Sequence, residues 1–115
     1  MLKVLVESPF AGTPQEIERN TRYLRAALAD CFKRGEAPFA SHGLYTLPGV
    51  LDDGVPIERA QGIEAGLIWG KCADLTAVYS DLGISKGMHE GILRAFNEGR
   101  SVVYRSLPDW KAVAG

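Results

Sequence analysis

The sequence has no excess of charge of either sign and no long apolar run. Its 115 residues carry 13 basic and 14 acidic side chains, a formal net charge of −1, without any long run of like charge. Bulk charge therefore gives no sign of a nucleic-acid polymer or a membrane surface as partner. No apolar stretch reaches the about 18 residues of a membrane-spanning helix, and the apolar stretch at residues 2–6 is too short for a signal peptide. We expect a cytoplasmic protein.

Cysteine and histidine are also scarce. Cys31 and Cys72 lie far apart, without C-x-x-C spacing, and both fall in predicted helices. We expect two small buried side chains and no disulfide. His42 and His89 have no partner at i, i+4 spacing, so no metal site is predicted. The Asp52-Asp53-Gly54 stretch is most simply a turn, with a metal-binding pair of carboxylates as the alternative.

The familiar nucleotide-binding and hydrolase motifs are missing too. No G-x-G-x-x-G follows the first strand, and no G-x-x-x-x-G-K-[ST] occurs anywhere. This disfavours dinucleotide and P-loop nucleotide binding, and no cofactor is predicted. The stretch at 83–87 matches G-x-S-x-G, but no plausible histidine and acid follow in the order that a serine hydrolase requires.

What the sequence does contain is an alternation of short apolar strands and amphipathic helices. Thr13 and Pro14 are typical of a helix start, as N-cap and first helical residue. Strands are predicted at 2–6, 37–41, 75–79 and 101–104, and helices at 14–33, from about 56, and at 87–98. This order predicts a three-layer α/β domain, flavodoxin-like or Rossmann-like, with a parallel four-stranded sheet in the order 2-1-3-4.

The predicted domain spans residues 1–106 and is followed by a tail at 107–115. Trp110 in this tail is expected to dock either on the body of the domain or on another subunit. We also expect a homodimer or a larger homo-oligomer. Between the second predicted strand and the second predicted helix, residues 42–56 form the longest irregular segment, and loops of this length in a small domain are often functional.

The predicted sheet order places a ligand crevice between strands one and three. Residues 7–12, residues 79–87 and the long loop should line it. Four candidate ligand contacts lie on these segments. They are the hydroxyl of Ser8, the ring of Phe10, the backbone at Gly12 and the imidazole of His42. Turn formation by Ser8, core packing by Phe10 and a structural histidine are the alternatives.

The stretch 79–90 holds the strongest candidate for a catalytic group, Glu90. One interpretation makes Gly87 the N-cap of a helix and Glu90 its capping N3 residue, without chemistry. In the other, Ser85 and Gly87 present donors to an anionic ligand, and Glu90 is a nucleophile or a stabiliser of an oxocarbenium ion. Both interpretations stay open on spacing alone.

Two aspartates flank the third strand. Asp81 follows the strand at its ligand end, where it can hydrogen-bond a base or protonate a leaving group. Asp74 precedes the strand, at the opposite end of the sheet. Geometry therefore favours a turn or helix-end role for Asp74.

One pattern around the third strand matches a known superfamily. An acid precedes the strand, another follows it, and a Ser-x-Gly-x-x-Glu string comes next. The matching residues are Asp74, Asp81, Ser85, Gly87, Met88 and Glu90. This pattern resembles the core of the nucleoside 2-deoxyribosyltransferase superfamily, which also includes deoxynucleoside 5′-monophosphate N-glycosidases. In the transferases the glutamate directly follows a Gly-Met pair, whereas His89 intervenes here.

A second pattern resembles a group of small phage and bacterial proteins of the same superfamily. It reads SP[YF]xG…N…Y, then APxxxHxLY, then LDD…PxERxxG. The chain matches it at Ser8-Pro9-Phe10, Asn20, Tyr23, Ala37-Pro38, His42, Leu44-Tyr45, Leu51-Asp52-Asp53, Pro56, Glu58-Arg59 and Gly62. Together the two resemblances cover about residues 3–105.

The resemblance implies cleavage of an N-glycosidic bond, or (deoxy)ribosyl transfer, on a nucleoside or nucleotide. Glu90 would be the nucleophile at the sugar C1′, and Asp81 would protonate or hold the base, with Asp74 as a further base contact. Ser8, Ser85, Gly87 and Met88 would bind the sugar or a 5′-phosphate. The rival hypotheses are a non-catalytic protein that binds a nucleotide-derived ligand and an inert remnant of the fold.

Overall fold

Residues 1–110 are described by a computed structural model and form a parallel sheet with helices on both faces. The strands are β1 (Lys3–Glu7), β2 (Ala37–Phe39), β3 (Leu75–Tyr79) and β4 (Ser101–Arg105). The helices are α1 (Pro14–Lys33), α2 (Ser41–Leu44), α3 (Pro56–Gly70) and α4 (Lys86–Asn97). The sheet order is β2-β1-β3-β4 with every pairing parallel, so the predicted three-layer α/β fold and strand order are confirmed.

Helix α1 begins and ends where the sequence predicts. Thr13 is the N-cap, and its hydroxyl accepts a hydrogen bond from the Glu16 backbone N–H at 3.2 Å. The Glu16 carboxylate accepts one in return from the Thr13 N–H at 2.9 Å, which completes a capping box. Gly35 ends the helix with a φ of 76°, a backbone conformation that glycine adopts at little cost.

The core lies in two layers on opposite sides of the sheet. On one side, α1 packs against alternate strand residues, with Val4, Val6, Ala77 and Tyr79 facing Tyr23, Leu24, Ala27 and Cys31. On the other side, Val78 packs against Met88 and Ile92 of α4. The burial of continuous apolar strands on both faces is what a parallel sheet requires.

The predicted tail docks on the body of the domain. Trp110 is buried and contacts Tyr23 edge-to-face, with ring centroids 4.8 Å apart. Of the two predicted positions for Trp110, on the body of the domain or on another subunit, the structure shows the first. Residues 111–115, the end of the predicted tail, lie outside the described residues.

Four local predictions were wrong or incomplete. Cys72 is exposed in the turn after α3, whereas Cys31 is buried as expected. The second strand ends at Phe39, two residues early, because residues 41–44 of the predicted loop form α2. Helix α4 begins at Lys86 with Ser85 as its N-cap, so Gly87 is not the cap.

The short helix α2 packs closely on α3. A Cβ at Gly66 of α3 would lie 2.6 Å from the Ser41 Oγ, so only glycine allows this approach. The contact fixes His42 of α2 above the carboxyl end of β1. Within residues 1–110, no helix is long and apolar enough to cross a membrane.

A buried ion pair joins the two edges of the sheet. The Arg105 guanidinium at the end of β4 donates to both carboxylate oxygens of Glu36, which precedes β2, at 2.7 Å each. Both side chains are about one-tenth exposed. Arg105 holds the pKa of the Glu36 carboxyl below its usual range. Removing one partner leaves a buried charge without compensation.

We expect Arg105→Met to lower the free energy of unfolding by about 3–5 kcal/mol, measured by urea denaturation. Adding Glu36→Met should recover most of that loss, because no buried charge is then left alone. Arg34→Met is the matched control. Arg34 pairs with Asp30 near the surface, and its loss should cost under about 1 kcal/mol. Equal costs for the two arginine variants would contradict the assignment.

Candidate functional site

A cavity of about 430 Å³ opens between α3 and α4, and we call it the interhelix cavity. Its floor is the face of β1 that carries Leu5 and Glu7, since Val4 and Val6 point to the α1 side. Its mouth is formed by residues after β1, by α2 and the loop that follows it, and by the start of α4. The cavity therefore lies at the predicted switch point and extends further along the sheet than the crevice that was predicted.

The predicted contacts on the strand-one side of the mouth come together. Ser8, Phe10 and His42 all line the interhelix cavity. The Ser8 Oγ and the His42 Nε2 are hydrogen-bonded at 2.9 Å. The Phe10 ring lies edge-on to the imidazole, with centroids 6.3 Å apart. The hydroxyl of Ser8 is thus fixed in direction by a histidine that is distant in sequence.

His42 is neutral at physiological pH. Burial lowers the pKa of its imidazole to about 4, and the negative charge of Asp53 opposes part of this shift. A neutral imidazole can accept or donate at Nε2, depending on its tautomer. The pair with Ser8 can therefore present either a hydroxyl proton or a lone pair to a ligand.

The opposite wall is the first half of α4. The Ser85 hydroxyl caps the helix by accepting a hydrogen bond from the Met88 N–H at 3.3 Å. Ser85, Gly87 and Met88 all line the interhelix cavity. A Cβ at Gly87 would meet no protein atom within 4 Å, so the backbone there is open to a ligand.

Glu90 also lines the interhelix cavity, and it does not cap the helix. It is the fifth residue of α4, in the second turn, so the prediction that it occupies N3 was wrong. The sequence signal behind that prediction was Gly87, but Ser85 is the better N-cap because its hydroxyl can accept a hydrogen bond. Glu90 is exposed and is one of the residues that line the cavity.

His89 does not turn Glu90 away from the cavity. Gly87 is three and four residues before Glu90 and Gly91, and these are four and three residues before Arg94, so the four residues share one face of α4, and all of them line the cavity. His89 does not line the cavity and is exposed. The residue inserted between Met88 and Glu90 therefore leaves Glu90 on the cavity side of α4.

A second carboxylate, Glu7, lies on the floor and was not selected as a site residue from the sequence. It ends β1, and its side chain lies against Gly91 of α4, where a Cβ would be 2.6 Å from the Glu7 Cδ. Burial raises the pKa of the Glu7 carboxyl to about 7, and the positive charge of Arg100 offsets part of the rise. At neutral pH, Glu7 therefore exists in both protonated and ionised forms.

A sequence signal for Glu7 did exist. Residues 2–6 are an apolar run that predicts a strand buried on both faces. An acid that ends such a strand is seldom buried without a reason. The other half of the contact was not visible in the sequence. Nothing around Gly91 indicates that α4 leaves space there for the Glu7 side chain.

Asp81, predicted to be catalytic, lies on the other side of the sheet. Its carboxylate accepts hydrogen bonds from the Tyr23 hydroxyl at 2.6 Å and from the Leu107 N–H at 2.9 Å. The Asp81 N–H donates to the same tyrosine oxygen at 2.9 Å. Asp81 does not line the interhelix cavity. Its contacts instead attach α1 and the chain after β4 to the end of β3.

Asp74 and Gly12 also lie outside the interhelix cavity. Asp74 precedes β3, and its carboxylate accepts a hydrogen bond from the Lys3 N–H at 2.7 Å, at the amino end of the sheet. Gly12 lines a shallower recess next to the cavity, beneath the loop after α2. The placement of Asp74 at the amino end of the sheet agrees with its predicted position before the third strand. The placement of Gly12 depends on the course of a loop, which the sequence does not show.

The acids of the long loop form a turn. The Gly54 N–H donates to the Asp52 Oδ1 at 2.9 Å, as the turn prediction requires. Asp53 pairs with Arg59 of α3 at 2.8 Å. Across the part of the chain that the structure describes, no group of three histidine, cysteine or acidic side chains is placed to hold a metal ion.

Glu7 and His42 affect the pH dependence of stability in opposite directions. The folded protein keeps the Glu7 proton up to about pH 7, whereas an ordinary glutamate loses it near 4.5, so stability falls as pH rises through this window. The folded protein keeps His42 neutral down to about pH 4, whereas an ordinary histidine binds a proton below 6.5, so stability falls as pH falls. Between about pH 4.5 and 6.5 the two effects cancel.

We expect Glu7→Gln to remove that cancellation. Relative to wild type, its free energy of unfolding should fall by up to about 1.4 kcal/mol per pH unit as pH falls from 6.5 to 4.5. His42→Gln should show the opposite slope. Urea denaturation at several pH values measures both. Glu18→Gln, an exposed change on α1, is the control and should parallel wild type. A Glu7→Gln curve parallel to wild type would show that Glu7 is not buried in this way.

Comparison with known proteins relates the fold to a solved structure and the sequence to a protein family. A solved structure of a 2-deoxyribosyltransferase from the psychrotolerant bacterium Bacillus psychrosaccharolyticus matches with a TM-score of 0.64 at 23% identity, over 90% of this chain and 72% of that one. At this identity the match establishes a shared fold. No curated protein matches the chain. A family model does match residues 2–105, and the chain belongs to that family, which is described as Domain of unknown function (DUF7768).

Proposed function

We propose that this protein cleaves the N-glycosidic bond of a nucleoside or nucleotide, or transfers its (deoxy)ribosyl group, with Glu90 as the nucleophile. The observation that carries the proposal is the position of Glu90. This exposed glutamate takes no part in capping and lines a cavity at the switch point of the sheet. The fold shared with a 2-deoxyribosyltransferase is consistent with this chemistry.

The opposite walls of the interhelix cavity suit the two ends of a nucleoside. On the α4 side, the open backbone at Gly87 and the hydroxyl of Ser85 lie at a helix N-terminus, where sugar hydroxyls or a 5′-phosphate are favoured. On the other side, the Phe10 ring offers a surface for a flat base. Ser8, fixed by His42, adds a directed polar contact.

In the first step, a Glu90 carboxylate oxygen bonds to C1′ of the sugar as the C1′–N bond breaks. The bonding pair of electrons leaves with the base, which takes up a proton. A glycosyl ester of Glu90 results. In the second step, water or a second base attacks C1′ and releases the Glu90 carboxylate. This two-step sequence follows the general chemistry of retaining glycosidases.

A binding protein without turnover is the second candidate function. The same cavity would hold a nucleotide-derived ligand, and Glu90 would then contribute only a charged or hydrogen-bonding contact. The two candidates differ in one observable, the release of free base. The predictions of a homo-oligomer and of a cytoplasmic location stay predictions.

We expect wild-type protein to release free base from at least one member of a panel of deoxynucleosides, their 5′-monophosphates and NAD, detected by chromatography. Glu90→Gln should lower this rate by at least about 1,000-fold, because the covalent route is lost. His89→Gln is the matched control, since His89 is the neighbouring residue on α4 and is exposed off the cavity face. It should leave the rate close to wild type.

Two other outcomes would decide against the proposal. Base release that is unchanged in Glu90→Gln would remove Glu90 as the nucleophile. Tight ligand binding without base release, preserved in Glu90→Ala, would identify the protein as a binder. Adding a second free base to the reaction distinguishes transfer, which forms a new nucleoside, from hydrolysis, which forms the free sugar.

A further inference from the structure

The departing base needs a proton donor, and the sequence assigned that task to Asp81. In the structure, the Asp81 carboxylate is bonded to Tyr23 and Leu107 on the α1 side of the sheet. It does not line the interhelix cavity. Another group on the cavity side must therefore supply the proton if the reaction takes place there.

Glu7 is placed to supply it. Its side chain rises from the cavity floor against the backbone of Gly91, the residue that follows Glu90 in α4. The missing side chain at position 91 is what makes room for the carboxyl group. The sheet and the helix thus bring two carboxyl groups, Glu7 and Glu90, to the same cavity from different elements.

The surroundings of the two groups differ. Glu90 is exposed to solvent, whereas burial favours the protonated form of Glu7. The positive charge of Arg100 favours the ionised form of Glu7 and offsets part of the effect of burial. Other charged or titratable side chains line the cavity on the elements around it, among them His42 of α2, Arg59 of α3, and Arg94 and Glu98 of α4. Two carboxyl groups in contrasting environments are the usual arrangement for an acid and a nucleophile.

We infer that Glu7 is the general acid and base of this site, a catalytic residue that protonates the departing base and then activates the water or acceptor. The inference rests on the proposed function, because it concerns the same reaction at the same cavity. It replaces Asp81 in the role that the sequence assigned to it.

Each step balances with Glu7 in this role. As the C1′–N bond breaks, its electron pair stays with the nitrogen of the departing base. The proton of the Glu7 carboxyl group is transferred to that base. Glu7 is left as a carboxylate beside the glycosyl ester of Glu90. That carboxylate takes a proton from the incoming water as the water oxygen bonds to C1′. Glu90 leaves as a carboxylate, and Glu7 is again protonated.

The test compares two leaving groups. A purine 2′-deoxynucleoside needs a proton on its base, whereas its N7-methylated counterpart already carries a positive charge and needs none. We expect Glu7→Gln to lower kcat/KM for the ordinary nucleoside by about 100-fold or more. The same variant should leave kcat/KM for the methylated nucleoside close to wild type, after subtraction of the uncatalysed rate. Glu90→Gln should lower both.

A second variant covers the case in which Glu7→Gln fails to fold. Gly91→Ala places a Cβ where the Glu7 carboxyl now lies, and the flexible end of that side chain must move away. Alanine is favourable within a helix, so the fold should persist. This variant should show the same selective loss on the ordinary nucleoside.

The outcomes distinguish the role of Glu7 as the acid from the proposed function itself. Equal loss on both nucleosides, or no loss on either, would overturn the role of Glu7 while Glu90 and the proposed function stand. Absence of base release by wild-type protein from either nucleoside would overturn both. Selective loss in Glu7→Gln or Gly91→Ala, with Glu18→Gln unchanged, supports Glu7 as the acid.

Discussion

The site depends on the packing of the Glu7 side chain against a position of α4 that has no side chain. Glu7 ends a strand with neighbours on both sides, and its half-buried side chain lies between the sheet and α4. Gly91 leaves the space in which it fits. An ionised carboxylate in such a place is costly, and the group responds with a raised pKa. The same gap between helix and sheet is continuous with the cavity that Glu90 faces.

The two sides of the sheet differ, since one is closely packed and the other carries the cavity. On the α1 side, apolar packing is closed by Trp110, and Asp81 accepts hydrogen bonds that attach neighbouring segments. On the other side, α3 and α4 flank an opening over β1. Polar groups on this side, including Ser8 and Glu90, are directed toward the opening. Asp81 and Glu7 both lie at the carboxyl end of the sheet, but Asp81 faces the α1 side and Glu7 faces the cavity.

The fold was predictable to a large extent, because it rests on local signals. The Thr13–Pro14 start of α1 and the alternation of strands and helices determined element positions and strand order. Helix α2 escaped prediction because four residues are too few to show a helical period. The N-cap of α4 was misplaced by two residues, from Ser85 to Gly87, and this put Glu90 in the wrong turn.

The site was only partly predictable, because side-chain partners distant in sequence decide it. Ser8 and His42 were both selected, but their hydrogen bond across 34 residues was not. Asp81 was selected for its position at a strand end, and its partner Tyr23 lies 58 residues away. Glu7 was within the predicted crevice, but its importance depends on Gly91, a contact that no local pattern reveals.

The central claim is that Glu90 forms a covalent bond with the sugar, and trapping that bond tests it most directly. A nucleoside with fluorine at the sugar 2′ position should slow breakdown of the glycosyl ester, so that the protein gains the mass of one fluorinated sugar. Trypsin cuts after Lys86 and Arg94 and yields a peptide, residues 87–94, in which Glu90 is the only carboxylate side chain. The account predicts the added mass on this peptide. Base release with the label on another peptide, or with no label at all, would contradict it.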